Sequence, residues 1–256
     1  MSPYIALAGF VIGILVGMTG IGGSAFMAPL LILFFGTSPS MAVGTDLAYS
    51  VPMKVLGAWQ HHRLGHVRWS AVWLLARGSV PAALLGSYAV TRWVKVDSQA
   101  EHMLRQVLGV TLALVALLIL WHIRPKPERE RNVIRDVWYH HPTFVSIWGA
   151  VVGLLVGVTS IGSGSLLVPF LLLLPLSAQE VVGTDVAHAA ILVTVAGVAH
   201  LLGGTVDLWL ALNLLFGAMP GVLIGSRLVR FLPDRWLRGG LSVLLFLTAL
   251  HLLGVF

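Results

Sequence analysis

Two Gly-Thr-Asp triplets and two glycine-rich interruptions carry most of the chemistry that residue type and spacing offer in this sequence. The triplets are Gly44-Thr45-Asp46 and Gly183-Thr184-Asp185, each set inside a long apolar run. An acidic side chain at membrane depth is costly to hold and marks an ion or proton pathway. Ser38-Pro39 and Ser177 stand upstream, so helix capping is the competing role, although each Asp falls several residues past the place where a cap belongs. Thr45 and Thr184 are the better donors to an anion, because a hydroxyl donates without charge repulsion. The interruptions comprise Gly20, Gly22, Gly23 and Ser24 in the first half, and Ser160, Gly162, Ser163, Gly164 and Ser165 in the second. Glycine lets a chain leave the helix, and unwound backbone persists in a bilayer only where protein buries it or water reaches it. The helix that resumes after each break offers unpaired N–H groups and a positive dipole end, which suit an oxyanion, and the serines add hydroxyl donors. Close helix packing through small residues is the alternative. Two matched clusters, each between short apolar segments, favour the binding site.

A polar stripe accompanies the first Asp. Asp46, Ser50, Lys54, Gly57 and His61 follow one another at steps of three or four, which helical periodicity places on one face. The second half keeps Asp185, His188 and His200 but has Val193 where the first has Lys54, and Phe216 where the first has Arg77. Lys54 and Arg77 are therefore the cations expected to attract a negative substrate or to neutralise an Asp, with snorkelling toward the interface as the competing role. Asp46, Lys54, Asp185 and His188 form the expected coupling or gating set. Ten histidines raise a metal hypothesis, yet His61, His62 and His66 cluster without a carboxylate at ligand spacing and no His-Glu-x-x-His occurs. Neither a metal nor a cofactor is expected. A serine hydrolase using Ser163 or Ser165, with His188 or His200 as base, is the enzyme alternative. It leaves the matched halves unexplained, so no enzymatic activity is expected.

The elements that must position these residues follow from composition and patterning. Apolar residues make up 57% of the 256 and charged ones 10%. A soluble domain carries about 25% charged residues, so too little polar surface is present to coat a water-soluble globule. With no cysteine, disulfide scaffolds, zinc ribbons and thiol enzymes are excluded. The net charge of +6 would suggest nucleic acid in a soluble protein, but in a polytopic membrane protein basic residues gather in cytoplasmic loops, and nucleic acid is not expected as a partner. The apolar N-terminus lacks a basic n-region, so no removable signal peptide is expected.

Apolar stretches run from Tyr4 to Met18, Ala25 to Phe35, Met41 to Gln60, Trp69 to Val90 and Leu104 to Trp121. They recur from Phe144 to Val158, Leu166 to Leu174, Val181 to Leu202, Leu208 to Leu228 and Leu237 to Val255. About 20 apolar residues are needed to cross the hydrocarbon core. The last three of each set suffice, and the first two are expected to be short or re-entrant. Gly17, Thr19, Ile21, Gly22 and Pro29 match Gly157, Thr159, Ile161, Gly162 and Pro169 at an offset of 140. The Val-Gly-Thr-Asp runs, and Pro81 with Gly86-Ser87 against Pro220 with Gly225-Ser226, match at 139. The chain therefore reads as an all-α membrane protein of two repeats, 1–121 and 143–256, joined by a cytoplasmic linker, 122–142. Eleven Lys and Arg collect on the linker side against three on the other, which places both termini outside. An odd number of crossings per repeat inverts the second copy. Inverted repeats with interrupted helices are the architecture of secondary transporters, with a substrate site near the midplane. A passive anion channel would use the same donors and stays open as an alternative.

Gly17-Met-Thr-Gly20-Ile-Gly22-Gly23 with Pro29-Leu30, Ala42-Val-Gly44-Thr45, Gly65-His66-Val67-Arg68-Trp69, Pro81 and Gly86 resemble the TauE/SafE sulfite exporter (TSUP) family. The second half resembles it again in Gly157 to Pro169, Val182-Gly183-Thr184, Gly204-Thr205-Val206-Asp207, Gly225-Ser226-Arg227 and Leu237-Arg238. The resemblance implies a multi-pass inner-membrane permease that moves sulfur-containing anions, such as sulfite or small organosulfonates, usually outward and without ATP. It carries over Gly20, Gly22, Gly23, Gly44 and Thr45 with Ser160, Gly162, Gly164, Gly183 and Thr184. The chain departs from the family pattern at Ser160 and Ser163, where glycine is common, and at Asp46 and Asp185, where small polar residues are common. Those acids could relay protons or hold a cation. The sequence leaves the coupling ion and the oligomeric state open.

Overall fold

A computed structural model describes residues 3–19, 27–94, 98–121, 142–162, 164, 166–171, 176–228 and 234–255, and among them the regular structure is helical. The first half comprises α1 (Pro3–Thr19), α2 (Met27–Phe35), α3 (Pro39–Arg63), α4 (Trp69–Ala89, continued by a π turn at Val90–Val94) and α5 (Ser98–Trp121). The second comprises α6 (Pro142–Thr159), α7 (Leu167–Leu171), α8 (Ala178–Leu202), α9 (Leu208–Leu228) and α10 (Asp234–Leu252). The 122–141 part of the expected linker lies outside the described residues, as does the first glycine-rich break with Gly20, Gly22, Gly23 and Ser24.

Local signals explain where the two long central helices begin. Pro39 follows Ser38 at the start of α3, where its fixed φ is pre-organised and its missing N–H is no loss. Ahead of α8, Ser177 and Glu180 form a capping box that satisfies two backbone amides. At nine and five residues, α2 and α7 cannot cross a bilayer, as expected. By contrast α6 starts at Pro142, two residues before the expected start, and its 18 residues are long and apolar enough to span. So are Gln99–Leu120, Gln179–Leu202 and Leu208–Gly225.

Helices are apolar on both faces, which marks a lipid-facing exterior. On α5 the inward Leu108, Leu112 and Val115 are buried while Val110, Leu114 and Leu117 are exposed. In such a solvent, burying leucine from lipid gains little, and helices associate where small residues let backbones approach. The contacts follow that rule and repeat themselves. Gly9 and Gly13 of α1 face the backbone of Leu214 and Ala218 on α9, while Gly149 and Gly153 of α6 face that of Leu75 and Ser79 on α4. Each contact is its counterpart shifted by 139 or 140 residues, and each pair runs parallel. Thus the first helix of either half packs on the fourth helix of the other. Between them, α3 and α8 pack antiparallel, with Gly57 against Val186 and Gly197 against Leu47 and Val51. The α5 and α10 helices also pack together.

Candidate functional site

Each Gly-Thr-Asp triplet divides three tasks among neighbouring residues. A Cβ at Gly44 would strike the carbonyl oxygen of Thr205, and one at Gly183 would strike that of His66. Glycine therefore admits a turn from the opposite half onto the helix. The adjacent threonine pins that turn: Thr45 Oγ1 accepts from the Asp207 amide at 3.0 Å, and Thr184 Oγ1 accepts from the Arg68 amide at 3.0 Å. Arg68 adds an ion pair with Glu180 at 2.7 Å. Sequence reasoning assigned the two hydroxyls to an anion; the structure engages both as acceptors in inter-half docking. The offset of 139 relates Arg68 to Asp207 as it relates Thr45 to Thr184, so the signal was present in the repeat but not in either motif alone.

About 100° further round each helix, the Asp turns inward. Asp46 is 0% exposed and Asp185 is 5% exposed. Both lie two turns inside their helices, and the cap before α8 is made by Ser177, so neither acid caps a helix. Asp46 accepts from the Ser160 hydroxyl at 2.6 Å and from Ser50 at 3.3 Å, and the Ala28 amide in the first turn of α2 also addresses it. Asp185 accepts from the Gly164 amide at 3.0 Å. Described residues that follow α6 thus serve both carboxylates, Ser160 on Asp46 and Gly164 on Asp185, with Ser160, Gly162 and Gly164 at φ of 61°, 143° and 81°. In the antiparallel register the two acids are offset by about 18 Å along α3 and α8.

Lys54 falls between these acids on α3. It is 8% exposed, its charge acts on both Asp46 and Asp185, and it has no direct ion pair among the described residues. A nearly buried ammonium held close to two carboxylates and bonded to neither is an arrangement that packing alone does not require. His188, one turn along α8 from Asp185, pairs through Nε2 with Ser79 Oγ at 2.8 Å, and its buried Nδ1 has no partner among the described residues. Ser79 was not anticipated; the visible signal was a small hydroxyl in an apolar helix, which many helices carry.

Other expected members fall elsewhere. Arg77 is on the exposed face of α4, away from the buried cluster. Ser163 and Ser165 lie outside the described residues, with Gly20, Gly22, Gly23 and Ser24. His200 bonds Thr205 Oγ1 and the Gly157 carbonyl, each at 2.9 Å, which ties α8 to its own following turn and to α6. The nucleophiles of the hydrolase alternative, Ser163 and Ser165, lie outside the described residues, and His188 and His200 bond to Ser79, Thr205 and Gly157 instead. Several described donors of the second break are already engaged: the Ser160 hydroxyl and the Gly164 amide by carboxylates, the Ser160 amide by the Val156 carbonyl and the Ile161 amide by Thr159 Oγ1.

A family profile described as "Sulfite exporter TauE/SafE" matches residues 5–252. The probable membrane transporter protein YjnA of Bacillus subtilis is 41% identical over 240 residues, covering 91% of this chain and 92% of the relative. YdhB of the same organism, also named a probable membrane transporter protein, is 28% identical across 90% of this chain and 91% of its own. The probable membrane transporter protein y4hK of Sinorhizobium fredii is 27% identical across 97% of each. No solved structure gives a significant match.

Proposed function

Since this chain belongs to the TauE/SafE sulfite exporter family and is a multi-pass membrane transporter, we propose that it exports a sulfur-containing oxyanion, such as sulfite or a small organosulfonate, across the cytoplasmic membrane. The observation that carries the proposal is Lys54, a buried cation without a direct ion pair among the described residues, whose charge acts on the two carboxylates that hold Ser160 and Gly164. Its ammonium supplies the positive field, while hydroxyl and amide donors replace part of the anion's hydration. Asp46 and Asp185 hold two such donors, the Ser160 hydroxyl and the Gly164 amide. Thr45 and Thr184 position the turns that dock on α3 and α8.

Alternating access would come from two inverted repeats rocking about the α3–α8 contact. The antiparallel packing of these equivalent helices and the exchange of partners by α1 and α6 support that motion. The basic loops support a cytoplasmic linker with both termini outside. Arg77, on the outer face of α4, is left to interfacial or partner contacts.

Proteoliposome counterflow with labelled sulfite, a sulfonate, sulfate and a carboxylate tests the substrate class. Accumulation of the sulfur anion against its own gradient is expected. Flux that only equilibrates the anion would favour a channel, and transport of cations or neutral solutes alone would reject the anion site. Lys54→Gln is expected to weaken anion affinity by about tenfold, equivalent to about 1.4 kcal/mol.

A further inference from the structure

We propose that Asp185 is an internal substitute for the transported anion, so that one monovalent anion enters together with one proton. The inference rests on the anion-transport reading above and adds its coupling. Two acids share the buried interior, and they are held differently. Asp46 takes two hydroxyls and an α2 amide, whereas Asp185 takes a single described hydrogen bond, from the Gly164 amide. The offset of 140 explains the difference: the position equivalent to Ser160 is Gly20, which has no hydroxyl to offer. Asp46 is thus the anchored carboxylate and Asp185 the exchangeable one.

Charge then fixes the stoichiometry. With both acids ionised and Lys54 protonated, the buried set carries one net negative charge. A monoanion entering alone raises that to two in a medium of low dielectric, at a cost of several kcal/mol per uncompensated ion. A proton placed on Asp185 as the anion arrives keeps the net charge unchanged. The neutral carboxyl releases the Gly164 amide, the anion accepts from it, and the Lys54 ammonium turns from Asp185 toward the anion. No bond other than the O–H on Asp185 is made, and the proton leaves when the anion does.

Titratable groups lie around Asp185 on several elements. α3 carries Lys54 and, on the same helical face, His61, which packs against His66; α8 itself carries His188; and the turn before α4 carries His66 and Arg68, with Arg68 paired to Glu180. Ser79 of α4 faces His188, and neither α6 nor α7 carries a charged residue.

The experiment uses the full chain in proteoliposomes, with net uptake of a labelled sulfonate, whose acid stays fully ionised, driven by an outside excess and with a trapped pH indicator read in parallel. Net uptake is expected to carry one proton per monoanion, and apparent affinity is expected to fall about tenfold per pH unit once the carboxyl titrates. Asp185→Asn cannot titrate, and its apparent affinity is expected to change by less than about twofold per pH unit, whatever its rate. Net sulfonate uptake without proton movement in the natural protein overturns the inference and leaves the transporter reading intact, as does an Asp185→Asn variant that keeps the natural pH dependence. Absence of counterflow for every sulfur anion overturns the transporter reading itself. Should Asp185→Asn fail to assemble, proton uptake by the natural protein on adding the sulfonate in unbuffered detergent decides the matter, and no uptake overturns the inference.

Discussion

Ser160 concentrates the tension between backbone and side chain at the break. Among the described residues it is the one non-glycine at positive φ, a conformation that costs an L-residue about 1–2 kcal/mol. It persists because its hydroxyl donates to a fully buried carboxylate at 2.6 Å, a bond to a charged group worth about 1.5–3 kcal/mol. The matched first-half position is Gly20, a residue type without a side-chain donor. Ser160→Ala is therefore expected to lose the bond and keep the strain, while Ser160→Gly loses the bond and relieves the strain. Thermal unfolding should rank them natural, Gly, then Ala, with the two variants separated by about 1 kcal/mol. An alanine variant as stable as the glycine one would mean that the backbone is not held as described.

At the scale of elements, the docking of each turn on the opposite long helix is the contact most sensitive to volume. Gly44 and Gly183 meet backbone carbonyls, which cannot swing aside as a flexible side chain would. Gly44→Val and Gly183→Val are each expected to cost more than the 1–3 kcal/mol typical of overpacking, and to reduce the monodisperse fraction in detergent chromatography. Thr45→Val and Thr184→Val keep the volume but remove the acceptor of the Asp207 or Arg68 amide. Each should lower stability by about 1–3 kcal/mol. If instead each raises the substrate KM with unfolding unchanged, the threonines contact the anion directly. The helices themselves were legible in the sequence: every expected segment became one, because apolar length and the Ser-Pro and Ser-x-x-Glu starts act locally. The extent of α6 was underestimated because the apolar run was counted from Phe144, although Pro142 and Thr143 open its first turn.

Across the whole molecule, the antiparallel α3–α8 pair sets which loops share a side. The turn after α3 meets the start of α8 through Arg68 and Glu180, and the turn after α8 meets the start of α3 through Asp207 and Thr45. Because the chain has no cysteine, single cysteines report sidedness without background. Leu64→Cys and Gln179→Cys are expected to react with an impermeant maleimide from the cytoplasmic side, and Phe34→Cys and Leu202→Cys from the other. Labelling of Leu64→Cys and Gln179→Cys from opposite sides would dismiss the inverted arrangement.

Composition alone placed the chain in a bilayer, and the matched spacings pointed to a doubled chain, because both depend on residue type and order rather than on who meets whom. The depth of the two acids was likewise readable from helix length. Which face each helix turns inward was not. In lipid, the protein interior and the surroundings are both apolar, so the polar-apolar alternation that orients a soluble helix is missing. That is why Arg77 and Lys54 looked alike in sequence yet part company in space, one exposed and one buried between carboxylates. The bond from Ser160 to Asp46 joins residues 114 apart in the chain, and only the tertiary arrangement could decide that the donors of the break serve an internal carboxylate.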